Sequence, residues 1–333
     1  MFEHPPVSEA RAFIEAQGLA FEAGFDDLVG LYDQGQLVAC GARQGYVLKM
    51  FAIAPSHQGS GVLGELVTQL LLSGLAAGQD SLFVFTRPQT APSFQSLNFR
   101  LLVTHGTAAL LEHGPGLEAY LAAQAGCIHP GRNGAVVING NPFTLGHLHL
   151  VEFAAQRVDH LYVFVVREDV SVFPFATRFR LAQLATAGLA NVHVLDTSRY
   201  AVSAGTFPAY FLKRLEDLAP AQMQLDLRLF AQHIAPRFHV ACRFAGAEPL
   251  CPTTATYNQV MAEVLPECGL QWIEVPRLQA GGQPISATRV RQALADCDFV
   301  ALKTLVPPAT LEFLHTPDAL VLAARIRAQR EGA

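Results

Sequence analysis

Two short stretches of the 333-residue chain carry residue types that can handle phosphate. The first is Thr144-Leu-Gly146-His147, inside "AVVINGNPFTLGHLHLVEFAAQ" (135–156). A β-branched run ends at Ile138, a turn follows over Asn139 to Pro142, and apolar periodicity predicts a helix over 145–157. The first turn of a helix leaves backbone N–H groups unpaired and is the positive end of its dipole. Thr144 offers a hydroxyl at the cap, Gly146 leaves room for a close phosphate, and His147 offers a ring nitrogen that can donate to an oxygen on phosphorus. The set suits an α-phosphate gaining charge in an in-line displacement. Equally, Asn-Pro and Gly are ordinary turn residues, and a first-turn histidine is often merely solvated. Asn139 and Asn141 either orient this loop or serve the turn alone.

The second stretch is "GGQPISATRVRQAL" (281–294). Ser286 is placed to cap a helix, with Thr288, Arg289 and Arg291 in its first turn and a half and Val290, Ala293 and Leu294 as the apolar stripe behind. Two arginines at the positive end of a helix dipole are locally unfavourable, and a bound anion would resolve the conflict. Long side chains reaching into water would resolve it too.

Both stretches need elements to hold them. From residue 135 onward, strands "AVVIN", "LYVFVV", "VHVLDT", "HVACRFAG" and "LQWIEV" alternate with helices, including one around "ATRFRLAQLATAGL" and two at "FPAYFLKRLEDLA" and "AQMQLDLRLFAQHIA", with "QAGGQP" a loop. This alternation predicts a parallel sheet with helices on both faces, where ligands lie beyond the carboxyl ends of the strands. "NGNPFTLGH" lies at such an end. So does "AGAEP" (245–249), where Gly246 lets a backbone approach adenine or ribose and Glu248 accepts from a ribose hydroxyl or faces water. The first third reads as mixed α/β: strands "GQLVACGARQG", "YVLKMFAIAP" and "SLFVFT", a glycine-rich turn with a helix at 56–78, and a hairpin in "FRLLVTHGTAALLEHG". "HGPG" (113–116) marks a break. The expected domains are 1–125 and 132–333.

The balance of 23 basic against 28 acidic side chains gives no long-range attraction to nucleic acid or anionic lipid. The six cysteines (40, 127, 242, 251, 268, 297) have no metal-ligand spacing and read as reduced thiols. No basic-then-apolar leader opens the sequence, and the longest apolar run, near "LVTQLLLSGLAAG", is too short to span a bilayer. A soluble, cytoplasmic protein without nucleic-acid or membrane partners is expected. His149 shares no helical face with His147, the remaining histidines form no constellation, and no side-chain metal site is expected. Arg180 and Lys213 read as solvated helix faces and the Phe173–Phe175 run as core.

Together, "TLGH" and "ISATRVR" resemble the (H/T)xGH and ISxTxx(K/R) signatures of the nucleotidyltransferase superfamily of α/β-phosphodiesterases. "VVREDVSVFPFATRFRL" (165–181), "TFPAYFLK" (206–213), "RFAGAEPLCPTTATYNQVM" (243–261) and "EVPRLQAGGQPISATRVR" (274–291) narrow the resemblance to the citrate lyase ligase family. That family joins a Rossmann-like ligase domain to an N-terminal acetyltransferase-like domain of the GNAT type. "HQGSGVLGELV" (57–67) resembles the GNAT pyrophosphate loop through Gln58 and Gly61, with Leu63 departing at the third small position; "SLNFRLL" resembles its "LGFR" element, with Asn98 for Gly.

The resemblance implies a two-step reaction. Acetate attacks the α-phosphorus of MgATP, releasing pyrophosphate and forming acetyl-adenylate. The thiol of a phosphoribosyl-dephospho-CoA group on the citrate lyase acyl carrier subunit then takes the acetyl and frees AMP, activating citrate lyase. His147, with Thr144 and Arg291, would serve catalysis; Asn139, Gly146, Gly246, Glu248, Ser286, Thr288 and Arg178 would bind the nucleotide; Mg²⁺ would arrive with ATP, on no protein ligand. Three alternatives stand beside it: a nucleotidyltransferase for another acceptor such as a pantetheine phosphate, a GNAT acetyltransferase with a nucleotide-sensing second domain, and a non-catalytic carrier-binding module.

Overall fold

The structure is a computed structural model that describes residues 1–167, 171–200, 215–249 and 252–331. It divides into two compact units. The first contains β1 (Phe2–Glu3), α1 (Val7–Ala16), β2 (Asp27–Asp33), β3 (Gln36–Gln44), β4 (Val47–Ile53), α2 (Val62–Ala76), β5 (Leu82–Thr86), α3 (Ala91–Gln95), β6 (Arg100–His105), β7 (Ala108–His113) and α4 (Gly116–Ala123). Its sheet runs β1-β2-β3-β4-β5-β7-β6. The β2–β3 turn is Gln34-Gly35, both at positive φ, the backbone that a tight right-twisted hairpin demands. All neighbours are antiparallel except β4 and β5, which need the α2 crossover and pair only at Val47–Phe83 and Leu48–Val84. A cleft of about 460 Å³ beside these strands is lined by Phe51, Ile53, Leu63, Phe85, Thr86 and others. Leu48, Leu66, Leu70, Val84 and Leu111 form the core below it.

The second unit is built from the described residues of Gln124–Ala201 and Phe230–Ala333. In order it adds β8 (Asn133–Ile138), α5 (Leu145–Ala155), β9 (Leu161–Val165), α6 (Phe175–Thr186) and β10 (Val192–Asp196). Next in the chain is α7 (Leu215–Leu229), which belongs to the first unit and packs on β6 and β7. Where two helices are expected, residues 215–229 are one, followed by a π-helical turn over Phe230–Ile234. The second unit resumes with α8 (Ala235–Arg237), β11 (Val240–Gly246), α9 (Pro252–Glu267), β12 (Gln271–Val275), β13 (Gln279–Ala280), β14 (Gln283–Pro284), α10 (Ala287–Ala295), α11 (Phe299–Leu305), α12 (Pro308–Leu314) and α13 (Pro317–Glu331).

Its main sheet has the order β10-β9-β8-β11-β12, with every pair parallel, as the strand–helix alternation predicts. The chain leaves β8 toward β9 on one side and returns to β11 on the other, so the sheet changes direction between β8 and β11. A crevice at the carboxyl ends of the strands is the geometric consequence. Val136, Ile138, Val163, Val165, Phe244 and Val275 are buried around this centre. The "QAGGQP" stretch is a small hairpin instead of a plain loop: Gly281 and Gly282, at φ 61° and 74°, supply the positive φ that a two-residue turn requires. A separate core of Ile285, Val290, Leu294, Leu302, Leu314 and Ala323 anchors α10 against the C-terminal helices. Among the described residues, no helix is long and apolar enough to cross a membrane.

Candidate active site

Thr144 caps α5 with extended backbone, and its hydroxyl accepts from the His147 N–H at 3.3 Å. The histidine answers in kind: the Thr144 N–H donates to His147 Nδ1 at 3.0 Å. This is a capping box in which a histidine replaces the usual Glu or Gln at the third helical position. Because a backbone N–H can only donate, Nδ1 must accept, and the ring proton therefore sits on Nε2. Burial, followed by the nearby Arg277 charge, pushes the His147 pKa down to about 4. His147 is thus a neutral Nε2–H donor at neutral pH, the species suited to a phosphate oxygen.

The two motif stretches meet here. Arg291, the fifth residue of α10, donates from one guanidinium nitrogen to the Asn141 carbonyl at 2.7 Å and from the other to Thr288 Oγ1 at 3.0 Å. Burial lowers the Arg291 pKa. Ser286 caps α10 and accepts from the Arg289 N–H at 3.2 Å. Gly146 is the point of closest approach: a Cβ there would lie 3.3 Å from the Ile285 carbonyl oxygen. A side chain at that position would press on the segment just ahead of α10 and require it to give by a few tenths of an ångström. The two expected arginines part company. Arg289 is turned back onto the small hairpin, donating to the carbonyls of Ala280, Gln283 and Pro284 at 2.9–3.3 Å, so its charge is met by protein acceptors and needs no bound anion.

The loop after β8 is pinned from below by Arg178. Its side chain is fully buried and donates to Asn139 O (2.7 Å), Asn139 Oδ1 (2.9 Å), Val166 O (2.7 Å) and Phe173 O (2.9 Å). A guanidinium held this way, through Nε and one terminal nitrogen, sets the shape of the loop. Asn139, in turn, exchanges 3.2 Å hydrogen bonds with Ser171. Asn141 Oδ1 accepts from the Phe173 N–H at 3.0 Å. Phe173 itself is fully buried, as its aromatic run suggests, and Arg180 is exposed. Lys213 and Cys251 lie outside the described residues.

At the end of β11, a Cβ on Gly246 would meet nothing within 4 Å. Its carbonyl is held by Asn258 Nδ2 at 3.0 Å, and Asn258 also reaches Glu274 at 3.2 Å. Glu248 forms an ion pair with Arg277, which also donates to the Ala247 carbonyl. Arg277 and Asn258 were not singled out from sequence. The signal for Arg277 was available, since "EVPRL" puts a cation just past the carboxyl end of a predicted strand. The Asn141 carbonyl has no sequence signal, because every residue carries one.

The arrangement gathers two helix N-termini, the His147 Nε2–H and the guanidinium groups of Arg277 and Arg291, a set that can receive an anion. The family described as "Citrate lyase ligase C-terminal domain" matches residues 133–314. A [citrate [pro-3S]-lyase] ligase of Klebsiella pneumoniae is 40% identical over 309 residues, covering 91% of this chain and 90% of its own length. This chain belongs to the citrate lyase ligase family. The protein of the same name in Escherichia coli (strain K12) is 33% identical over 321 residues, covering 94% of this chain and 91% of its own. Among solved structures, a ribosomal-protein-S18-alanine N-acetyltransferase of Escherichia coli covers 34% of this chain and 92% of its own at 15% identity, with a TM-score of 0.29. As a family member the chain is a ligase, with a mixed α/β first unit and a second unit built on a parallel sheet.

Proposed function

We propose that the second unit uses ATP and acetate to form acetyl-adenylate and passes the acetyl group to the thiol prosthetic group of the citrate lyase acyl carrier subunit, so activating citrate lyase. The observation that carries this reading is the 2.7 Å bond from Arg291 to the Asn141 carbonyl, which joins the two phosphate-handling stretches across 150 residues of chain. The joined motifs present donors and cations, while the Thr144 and Ser286 hydroxyls cap helices, His147 Nδ1 accepts from the Thr144 N–H and Thr288 Oγ1 accepts from Arg291. That suits a reaction whose nucleophile, the acetate carboxylate, is already ionised. Catalysis then consists of positioning and of stabilising charge on the phosphorus oxygens.

His147 Nε2–H donates to the α-phosphoryl oxygen as negative charge builds there. Arg291, Thr288 and the α10 N-terminus hold the β- and γ-phosphates that depart as pyrophosphate. Arg178 and Asn139 keep the first loop in shape, and Gly246 leaves space for the adenosine. Glu248, paired with Arg277, acts through that arginine's placement. Mg²⁺ travels on the nucleotide phosphates, and the site offers a match for the anionic part of that complex. The protein would work in the cytoplasm, where ATP is found.

The test is ATP–pyrophosphate exchange by the purified protein with Mg²⁺, with and without acetate, followed by addition of the thiol-form carrier subunit. Acetate-dependent exchange and acetate-dependent AMP release are expected. Neither AMP nor acetyl thioester in the presence of the carrier would overturn the assignment.

A further inference from the structure

Three histidines that sequence spacing does not connect lie together at the amino-terminal edge of the second unit's sheet, the edge opposite the carboxyl ends where His147 sits. His160 directly precedes β9, and His193 is the second residue of β10, opposite Tyr162 in the parallel register. Side chains two apart on a strand share a face, so His160, Tyr162 and His193 project together. His129 arrives from the segment before β8 and stacks on both, with ring centroids 4.3 Å from His160 and 4.3 Å from His193. One ring nitrogen from each histidine lies within 4.8 Å of the other two, and His160 Nδ1 is 3.1 Å from His193 Nε2.

The surroundings hold this trio in place. The His129 N–H donates to Tyr162 Oη at 2.9 Å, and the His129 carbonyl accepts from Asn133 Nδ2 at 2.7 Å, so the backbone of the third histidine is fixed at both of its polar groups. Tyr162 and Phe238, both fully buried, pack edge to face beneath the cluster with centroids 4.9 Å apart.

We propose that His129, His160 and His193 form a three-histidine site for a divalent transition metal of the zinc class, with the fourth coordination position open to water. Tetrahedral ligation at the usual Zn–N bond length needs ring nitrogens about 3.4 Å apart. From separations of at most 4.8 Å, ligation requires the stacked rings to turn out of their near-parallel arrangement so that one nitrogen of each points at the ion. Bound metal would tie the segment before β8 to the edges of β9 and β10. Its place on the opposite edge of the sheet makes it independent of the phosphate-handling residues.

The test uses the full chain, free of any affinity tag, stripped with chelator and kept without nucleotide. Co²⁺ titration should give one equivalent with the intense visible bands of a tetrahedral ion, displaced by Zn²⁺. His129→Gln, His160→Gln and His193→Gln should each weaken Zn²⁺ binding at least tenfold in calorimetry. His129→Phe keeps the ring stack and should lose the metal while retaining the wild-type circular dichroism. Should the variants misfold, the wild type still decides: Zn²⁺ should protect these three histidines, and not His147, from diethylpyrocarbonate, as mapped by mass spectrometry. No Co²⁺ spectrum and no Zn²⁺ heat at millimolar concentration would overturn the proposal, as would protection of other histidines in place of these.

Discussion

Replacing His147 separates two jobs that one ring performs. Its Nδ1 closes the α5 capping box by accepting from the Thr144 N–H, and its Nε2–H is free to donate outward. His147→Ala should lose both. The lost bond to the Thr144 N–H costs about 1 kcal/mol, and the lost oxyanion donor should slow adenylation by about two to three orders of magnitude. His147→Glu should split the pair. A glutamate at this helical position is the usual capping-box residue, and its charge favours a helix N-terminus by roughly 0.3–1 kcal/mol. This variant should therefore match or exceed wild type in thermal stability and in amide protection of α5. Its adenylation should fall below that of the alanine variant, because a carboxylate now faces the phosphate. Melting midpoints, hydrogen exchange and acetate-dependent ATP–pyrophosphate exchange, measured on all three proteins, decide the matter. An alanine variant within a few-fold of wild-type exchange would remove His147 from the chemistry. A glutamate variant as unstable as the alanine one would refute the capping argument.

Other outcomes follow from the same geometry. Arg291→Lys keeps the charge but cannot bond Asn141 and Thr288 together, so kcat/KM for ATP should drop about 10- to 100-fold, the worth of a charge-assisted hydrogen bond; an unchanged value would move the phosphate site elsewhere. Gly246→Val should leave the melting midpoint of the free protein nearly unchanged, since nothing stands within 4 Å of the new carbon, while raising KM for ATP; equal KM values would place the adenosine elsewhere. The His147 pKa of about 4 lies below its unfolded value of about 6.5, so the unfolded chain binds the extra proton between those limits. Stability contributed by the neutral ring is complete above pH 6.5 and is lost as pH falls toward 4, by up to about 3 kcal/mol. Urea unfolding of wild type and His147→Gln across that range should show the difference narrowing as pH falls, and a constant difference would contradict the assigned ring state.

The sequence made the parallel sheet legible because each buried strand is an apolar run separated by a helical repeat. It made both helix caps legible because Thr144 and Ser286 are cap residues directly ahead of apolar stripes. Side-chain partners were less accessible. Arg178, expected to bind nucleotide, also holds four oxygens of the β8–α5 and β9–α6 connections, whose positions depend on how those two loops fold together. Arg289 and Arg291 are two residues apart on one helix, and only the structure shows that one serves a hairpin and the other the first motif's loop. The three clustered histidines are 31 and 33 residues apart in sequence, and only the parallel register of β9 and β10 puts two of them side by side. Long-range register of this kind leaves no local periodicity to read.

The same geometry bears on how the site can be strongly cationic and still fold without its substrate. An arginine ordered in a half-buried crevice loses hydration, and an unpaired guanidinium there would oppose folding. Here both guanidinium groups near His147 already have protein acceptors: Arg291 has the Asn141 carbonyl and Thr288, and Arg277 has Glu248 and the Ala247 carbonyl. A guanidinium carries five N–H donors, so such tethers fix its plane while leaving donors over for a phosphate. The cost of ordering the cations is met in folding, and little reorganisation remains when charge develops on the α-phosphorus. Glu248 is then a tuning element. Glu248→Gln would leave Arg277 with its Ala247 bond but without a counter-charge, raising the positive potential at the site. ATP should bind more tightly and pyrophosphate should leave more slowly, so the exchange rate at saturating ATP should fall while KM for ATP falls with it. A rise in KM would mean that Glu248 meets the nucleotide directly, as a ribose acceptor would, and the tethering argument would fail for Arg277.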